Sequence, residues 1–299
     1  MSKKIVITFV IFFTFTLGTT FAQNVLEQRT FELINIERVK LNVPPLNWHN
    51  TLASVARAHS EDMLRNNFLN STGSDRSTNV ERIRRAGITN MTWWNILISG
   101  NSNTPEQRVT AWMNSPAHRE IIMRSNGSHI GIGVVQRPAG SNASNAIYWT
   151  VNVIEYFAPL NASEVRAFEL LVFELTNIER AKNGLSSLVW HDGLASVARS
   201  HSEDLMVNNI RGHVGSDGST PSERVARAGI QNMRYRGENC DYNRRTPEEV
   251  VNALMNSPDH REAILNRNAT HLGVGLIQRP EGSNANWLYY WTQVFGELR

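Results

Sequence analysis

The sequence predicts an α+β fold that is built twice along the chain, with helices covering an antiparallel sheet in each copy. The first observation behind this prediction is a repeat: the six residues from Leu52 recur from Leu194, which lies 142 positions later. Tyr148-Trp149-Thr150 recurs after the same interval. The second observation is that apolar residues with helical spacing fill the first part of each copy. The third is that each copy ends in two strand-like apolar runs, which a turn rich in proline, glycine and asparagine joins.

The constant interval predicts a duplicated domain. It leaves no room for an insertion or deletion between the matching segments, and it far exceeds the roughly 20–50 residues of a solenoid repeat. A chain of 299 residues is long enough for two ordinary domains of ~100–200 residues each. We expect a signal peptide at residues 1–22, a first domain at 23–158, a short polar linker at 159–163 and a second domain at 164–299.

The N-terminus has the pattern of a secretory signal. Lys3 and Lys4 precede an apolar stretch at residues 5–17, and Thr20-Phe21-Ala22 resembles a cleavage site. The alternative is an uncleaved membrane anchor, which the short apolar stretch and the cleavage-like end disfavour. The sequence therefore predicts a protein that is secreted, either extracellular or in the periplasm of a cell envelope, with no transmembrane segment after cleavage.

Composition narrows the class of protein further. The formal net charge is +3, and lysine and arginine are scattered along the chain, so we expect no nucleic-acid partner. Cys240 is the single cysteine, which excludes an intrachain disulfide and leaves stability to the packed core. Its thiol is either a reactive group or a small apolar filler, and the filler is the commoner use.

Each copy contains the same series of predicted elements. Two amphipathic helices come first, and two shorter helices follow. Thr220-Pro221-Ser222-Glu223 is typical of a capping box with proline at the first helical position, and Thr246-Pro247-Glu248 begins another helix in the same way. Two strands end each copy. The predicted ranges are Val25–Leu41, Leu52–Asn66, Ile130–Gln136 and Ile147–Ile154 in copy one, and Val165–Asn183, Leu194–Asn208, Leu272–Gln278 and Leu288–Phe295 in copy two.

Three polar residues of copy two are the candidate site. His213, Glu238 and His260 stand far apart in the sequence, each beside a glycine or proline, so we expect three loops to bring them together. Imidazoles with a carboxyl group can bind a metal ion, orient a polar group or exchange protons near neutral pH.

Several motifs of copy two carry a resemblance to a known family. Gly212-His213, Gly237-Glu238-Asn239 and the six residues from Asn256 to Arg261 occur in the family's order. Each copy resembles a CAP domain, the fold of cysteine-rich secretory proteins, antigen 5 and pathogenesis-related proteins, in its cysteine-poor, bacterial SCP-like form. The resemblance implies an α-β-α sandwich with a central cleft.

The resemblance also implies a metal-binding role. His213, Glu238 and His260 match three of the four cleft residues that often bind a divalent cation such as zinc in this family. The fourth is usually a carboxylate in the helix before the second histidine, and residues 252–257 contain no acid. We therefore expect weak binding of zinc or a similar cation, with water completing the coordination sphere.

Copy one has lost most of these residues. Ser71 stands at the position of His213 and Ile96 at that of Glu238, so His118 is all that remains. An isoleucine cannot bind a metal ion or transfer a proton, and we expect no site here. Trp93 and Trp94 either fill the corresponding cleft or offer an apolar surface. His59 and His201 occur in both copies, which favours a structural role for them.

Three hypotheses for function follow. The first is a secreted protein whose cleft binds a lipid, sterol, glycan or peptide, as the family suggests. The second is a metal-assisted hydrolase in which His213 or His260 acts as a general base and Glu238 orients it. The third is a non-catalytic module for interaction with a host or envelope. The hydrolase would need activated water because no serine or cysteine nucleophile is evident, so we rank binding or interaction above catalysis. No residue is assigned as catalytic, and the oligomeric state stays open.

Overall fold

The computed structural model describes residues 11–101 and 104–298. Lys3 and Lys4 of the predicted signal lie outside the described residues. The chain divides into two compact units, Met1–Phe157 and Ala158–Arg299, and each contains one copy of the repeat. Asn161 caps a helix that begins at Ala162, so the predicted linker runs into the first helix of the second unit. The domain limits as drawn from the sequence stay a prediction.

The first unit contains five helices and four strands among its described residues. In chain order they are α1 (Ile11–Lys40), β1 (Asn47–Trp48), α2 (Asn50–Arg65), α3 (Asn79–Arg85), β2 (Met91–Gly100), α4 (Pro105–Asn114), α5 (Pro116–Ile122), β3 (His129–Gln136) and β4 (Ile147–Tyr156). The second unit repeats this order. Its elements are α6 (Ala162–Lys182), β5 (Val189–Trp190), α7 (Asp192–Val207), α8 (Pro221–Arg227), β6 (Met233–Tyr242), α9 (Pro247–Met255), α10 (Pro258–Ile264), β7 (His271–Gln278) and β8 (Tyr289–Leu298).

Each sheet lies between two layers of helices. The strand order is β1-β3-β4-β2 in one unit and β5-β7-β8-β6 in the other. On one face of the first sheet, Ile34 of α1 and Trp112 of α4 share a buried core with Trp149 of β4. On the other face, Ser60 of α2 donates a hydrogen bond to Thr150 of the same strand. Successive residues of a strand point to opposite faces, so the α+β sandwich that the sequence predicts is confirmed.

The predicted caps form. Thr220 accepts a hydrogen bond from the backbone N–H of Glu223, and the Glu223 carboxylate accepts one from the backbone N–H of Thr220. Thr78 and Glu81 form the same capping box in the first unit. Each box satisfies two backbone donors at a helix start that would otherwise lack partners.

Several details differ from the sequence-based expectation. The sheets are mixed rather than antiparallel, because β1 pairs with β3 in parallel and β5 pairs with β7 in parallel. Strands β2 and β6 and the short helices α5 and α10 were not expected from the residue pattern. Helix α1 begins at Ile11 rather than Val25 and runs past Ala22, so cleavage after Ala22 stays a prediction. Within residues 11–101 and 104–298, no helix combines the length and apolar character that crossing a membrane requires.

Candidate functional site

The loop that carries His213 is fixed through the residue before it. Gly212 adopts a φ of +92°, a left-handed conformation that glycine tolerates best. Its N–H donates to the Tyr242 hydroxyl over 2.8 Å, and its carbonyl lies 3.0 Å from Nε2 of His201. His201 is fully buried on α7, and burial lowers its pKa, so the neutral imidazole donates this hydrogen bond. Both ends of the Gly212 residue are therefore held by buried or half-buried side chains.

Glu238 lies in the middle of β6 rather than in a loop. The bulge at Arg236 shifts the pairing of β6 with β8 two residues before it, and bulges commonly re-aim side chains beside functional sites. Its side chain is completely buried. The expectation of three loops is therefore wrong: His213 comes from a loop, Glu238 from a strand and His260 from the third position of helix α10.

The Glu238 carboxylate is paired on both oxygens. Nη2 of Arg224 donates to Oε1 over 3.0 Å and to Oε2 over 2.8 Å. Nδ1 of His213 lies 3.0 Å from Oε1, which fixes the tautomer with the proton on Nδ1, since an ionised carboxylate only accepts. The His213 side chain is 45% exposed. Glu238 thus holds the ring by Nδ1, and Nε2 has no hydrogen-bond partner among the residues that the structure describes.

A buried group of three potential ligands surrounds the same carboxylate. The potential ligand atoms of this group all lie within 4.8 Å of one another, and they belong to His201, Glu238 and Cys240. The composition of this group could hold a metal ion. However, burial raises the pKa of the Cys240 thiol well above its usual range, and a thiol binds metal as the thiolate. The thiol is buried and lies 3.6 Å from the Gly212 carbonyl and 3.8 Å from Oε1 of Glu238; whether it fills space or reacts stays a prediction.

His260 and His213 line one cavity of about 420 Å³. The backbone carbonyl of His260 accepts a hydrogen bond from Nδ2 of Asn239 over 3.0 Å. Asn239 is buried beside Glu238 on β6, so one strand positions both the carboxylate and the start of α10. Burial lowers the pKa of His260, and the nearby His213 lowers it further. The neutral imidazole, which can accept a proton or bind a cation, is favoured.

A chain of buried polar side chains supports Asn239. Its Nδ2 lies 3.1 Å from Oε1 of Gln293 on β8, and Nε2 of Gln293 donates to the Thr176 hydroxyl on α6 over 2.9 Å. Thr176 in turn donates to the carbonyl of Val172. We call Thr176, Gln293 and Asn239 the polar trio. Buried polar groups cost free energy unless they are paired, and this chain satisfies most of them.

The sequence missed the residues that organise this site. Arg224, the polar trio and the hydrogen bond from His201 to Gly212 all depend on contacts between elements that are far apart in the chain. The signal in the sequence was indirect: His201 recurs as His59, whose Nε2 bonds the Asn70 carbonyl in the same way over 2.8 Å. Asp204 follows His201 by three residues but does not accept a hydrogen bond from it, because the Asp204 carboxylate accepts from Ser216 and Asn208 instead.

The first unit has an apolar version of the same region. The polar trio is replaced by Ile34, Val151 and Leu97, which are buried in one hydrophobic cluster. Ser71 is exposed and Ile96 is half-buried. Arg82 takes the place of Arg224, and its Nη1 donates to the Ser77 carbonyl as Nη1 of Arg224 donates to that of Ser219. Its Nη2 donates to the Ser71 carbonyl instead, since no carboxylate stands at position 96.

The two tryptophans of this unit have different roles. Trp93 is partly buried and packs against the hydrophobic cluster of α1, α4 and the sheet, which fits the expectation that it fills space. Trp94 is 37% exposed, and the Arg84 guanidinium lies 5.6 Å from its ring centroid. Of these two tryptophans, Trp94 is the more exposed, and the arginine lies over its ring.

Comparison with known proteins identifies the family. The model of the CAP domain, the cysteine-rich secretory protein family, matches residues 31–153 and again 173–295. The chain therefore belongs to this family and carries its domain twice. This confirms the resemblance that the motifs of copy two indicated.

Individual relatives match over about one repeat. The chain is 41% identical to the uncharacterized protein YkwD of Bacillus subtilis (strain 168) over 133 residues, 44% of this chain and 48% of YkwD. It is 35% identical to the uncharacterized membrane protein YlbC of the same organism over 127 residues, 42% of this chain and 34% of YlbC. The chain thus spans about half of the first relative and about a third of the second.

Solved structures that this chain resembles include two bacterial surface or extracellular proteins. An outer surface protein from Borrelia burgdorferi is 23% identical, with a TM-score of 0.40 and coverage of 47% of this chain and 97% of that one. An extracellular protein containing an SCP domain from Bacillus anthracis is 26% identical, with a TM-score of 0.39 and coverage of 50% and 52%.

Proposed function

We propose that the protein is a secreted binding module whose site is the cleft of the second domain. The observation that carries this proposal is the arrangement of His213 and His260 on one cavity, with Glu238 paired behind them. Such a cavity, with a few convergent polar groups, is the usual form of a ligand site. Secretion rests on the signal-like residues 1–22, and the place of action is the cell exterior or the envelope.

We propose that the cleft takes a divalent cation, bound by the two imidazoles. Neutral imidazole nitrogens suit zinc, and two protein ligands leave positions for water or a ligand. Nε2 of His213 is the nitrogen that Glu238 leaves free. A carboxylate that accepts the other ring N–H orients a metal-binding histidine and raises its basicity. Glu238 then orients the histidine and does not bind the cation itself.

The buried group of His201, Glu238 and Cys240 is the less favourable position for the cation. A metal ion there would compete with Arg224, which donates to both Glu238 oxygens. It would also have to remove the proton from a thiol whose pKa burial has raised. Both changes cost free energy, because a buried cation would lose its partner and a buried thiol its proton.

The test is a titration of zinc into the untagged full-length chain, followed by calorimetry. We expect one weakly bound ion per chain, which His213→Ala and His260→Ala both abolish. His118→Ala is the matched control, because His118 occupies the position of His260 in the first domain, where Ser71 and Ile96 replace the other two residues of the site. Binding should weaken at acidic pH, where protons compete for the imidazoles. Because burial lowers the pKa of His260, competition at this ligand should begin below the ~6.5 of a free imidazole.

The outcomes separate the two cation positions. Equal uptake by the wild type and all three histidine variants would mean that zinc binds elsewhere. Cys240→Ser should leave uptake unchanged, whereas its loss in this variant would move the ion to the buried group. If the wild type takes up no zinc, the three residues serve only to hold the loop, the strand and the helix together.

A further inference from the structure

The cavity that holds His213 and His260 has a wall of cationic and aromatic side chains. Arg211, Tyr242, Arg244 and Trp287 line it together with the histidines. The Arg211 guanidinium lies 4.3 Å from the ring centroid of Trp287 and 5.5 Å from that of Tyr242. Stacking on aromatic faces holds a guanidinium plane in place and leaves its N–H groups directed outward at the edge.

The Arg211 donors are not used within the part of the chain that the structure describes. The ring contacts are its interactions there, and it forms no hydrogen bond or ion pair with any of those residues. Arg244 has one weak partner, Asp241, whose Oδ1 lies 4.0 Å from Nε. A guanidinium is always charged and forms its best hydrogen bonds with a carboxylate or a similar oxyanion. Asp241 lines the same cavity and offsets part of the charge of Arg244, whereas Arg211 has no acidic partner among the residues that the structure describes.

A second cavity adjoins the first. It measures about 650 Å³, and Asn243 and Arg244 line both cavities. The side-chain amides of Asn243, Asn252 and Asn256 and the Ser257 hydroxyl contribute to its lining, together with two arginines and one acid, Arg244, Arg245 and Glu249. The Glu249 carboxylate accepts from the backbone N–H of Arg245. Amides and hydroxyls both donate and accept hydrogen bonds. This lining suits a ligand that presents many hydroxyl groups, and offers few apolar contacts for the side chains of a peptide.

The first domain lacks these features. Leu69 stands at the position of Arg211, Gly100 at that of Tyr242 and Asn145 at that of Trp287. The aromatic pair and the arginine stacked on it are thus absent together, in the same domain that lacks His213 and Glu238. This distribution links the wall to the site of the second domain rather than to the stability of the fold, which both domains share.

We propose that the two adjoining cavities bind an acidic oligosaccharide. Arg211 takes a carboxylate of the sugar, the rings of Trp287 and Tyr242 lie beside that sugar unit, and the asparagines bind hydroxyls of the next units. This inference rests on the proposed function in one respect, since it assigns the ligand of the same cleft. A sulfated sugar offers the same oxyanion chemistry, and an acidic peptide is the competing class of ligand.

The experiment measures binding of tetrasaccharides to the full-length chain by calorimetry. The acidic probes are the tetrasaccharides of galacturonic, mannuronic and guluronic acid, and a sulfated maltotetraose tests the other oxyanion. Neutral maltotetraose and tetraglutamate are the comparison ligands. At least one uronate should bind more tightly than neutral maltotetraose and tetraglutamate. If no acidic sugar does so, or if tetraglutamate binds as tightly, the assignment to an acidic sugar is wrong.

Variants locate the ligand. Arg211→Met keeps the aliphatic stem on Trp287 and removes the charge, and loss of a charge-assisted pair should weaken uronate binding about tenfold or more. Trp287→Ala should weaken it as well. Arg267→Met is the matched control, because Arg267 is an exposed arginine of the same domain that does not line either cavity. Equal loss in Arg211→Met and Arg267→Met would mean that general charge attraction, and not this wall, binds the sugar.

Zinc uptake separates this inference from the proposed function. Arg211→Met should take up zinc as the wild type does, because Arg211 is not one of the imidazole ligands. Zinc binding without uronate binding overturns the inference alone. Uronate binding that depends on Arg211, in a chain that takes up no zinc, overturns the cation part of the proposed function and supports the wall as a binding site.

Discussion

At the scale of single residues, Glu238 decides what the cleft can do. A fully buried carboxylate is costly unless it is paired, and here Arg224 and His213 both bond it. These hydrogen bonds hold the histidine in one orientation. The pKa of Tyr235 is raised to about 12, mainly by burial and secondly by the nearby Glu238 carboxylate.

Asp241, three residues further along β6, gives a prediction on stability and pH. Burial raises its pKa to about 6, and Arg244 is its distant partner. A carboxyl whose pKa is higher in the folded state favours folding at low pH, and that contribution is lost as the pH rises through about 6. We expect Asp241→Asn to stabilise the protein by about 1–2 kcal/mol at pH 8, after allowance for partial exposure.

The measurement is urea unfolding of the full-length chain at pH 8 and at pH 4.5. The gain should be present at pH 8 and shrink at pH 4.5, where the wild-type carboxyl is also neutral in the folded state. An equal gain at both pH values would show that the amide improves hydrogen bonding and that the charge is not the cause. Destabilisation at pH 8 would mean that the carboxylate is well paired in solution.

The sequence could predict the site histidines and the carboxylate but not their arrangement. His213, Glu238 and His260 were visible because each stands in a motif, and copy one has lost two of the three. Arg224 was not visible, because copy one keeps an arginine at that position, Arg82, with different partners. The Arg211 wall was missed for another reason, since a cation stacked on aromatic rings brings together three loops or strands with no common spacing.

At the scale of elements, the second helix of each domain lies directly on the sheet. Gly273 and Gly275 of β7 face α7, and a Cβ atom at either position would overlap the helix backbone at Ala195 or Arg199. Glycine is needed here because the two backbones approach closely. This contact sets the position of α7 and therefore of His201, which holds the loop of His213.

Replacing one of these glycines should therefore unfold the second domain or weaken it severely. We expect Gly275→Ala to cost more than about 3 kcal/mol, because the backbone of a packed helix must move. The matched control is Gly282→Ala in the β7–β8 turn, where nothing lies within 4 Å of the new Cβ and φ is +81°. Its cost should be about 1–2 kcal/mol from the left-handed backbone alone.

Thermal and urea unfolding of both variants check this prediction. If Gly275→Ala costs no more than Gly282→Ala, the helix and strand are not in close contact. The zinc titration of folded Gly282→Ala should match the wild type, which excludes a general effect of alanine in this half of the sheet.

The strands that were missed have a physical explanation. Strand β6 contains Gly237 and a continuous polar pair, Glu238 and Asn239, so the alternation of apolar and polar residues at its start stops after Arg236. Its structure comes from pairing along its whole length with the apolar strand β8. By contrast, β7 and β8 carry long apolar runs that are buried on both faces, and these were predicted to within three residues at each end.

At the scale of the whole molecule, the repeat gives each unit a complete set of elements. The constant interval of 142 residues predicted this, and ten helices and eight strands among the described residues follow it. The sequence could not predict the contacts of positions that differ between the two domains. At such a position, the polar residue of one domain is hydrogen-bonded, and the apolar residue of the other domain packs in a hydrophobic cluster.

We predict that the second domain folds alone. In the second unit, Val294 of β8 packs with α7 on one face of the sheet, and Phe168 of α6 stacks on the buried Trp291 at the other face. Residues 164–299 should therefore unfold in one cooperative transition in urea. The test is coincidence of the curves from tryptophan fluorescence and circular dichroism. Separate curves, or a gradual loss of signal, would mean that the domain needs the rest of the chain.

The polar trio of the second domain and the three apolar residues of the first restrict which intermediate sequences would be stable. Leu97→Asn alone would place an amide beside Ile34 and Val151, without the glutamine partner that Asn239 has in the second domain, at a cost of about 1–3 kcal/mol. Val151→Gln alone would likewise lack the partners that Gln293 has. Single substitutions that convert one interior into the other therefore pass through less stable chains, whereas the three changes made together restore the hydrogen bonds within the polar trio. Two repeats can in this way diverge through packing alone, because exchanging a single interior residue of this set between the two domains destabilises the domain that receives it.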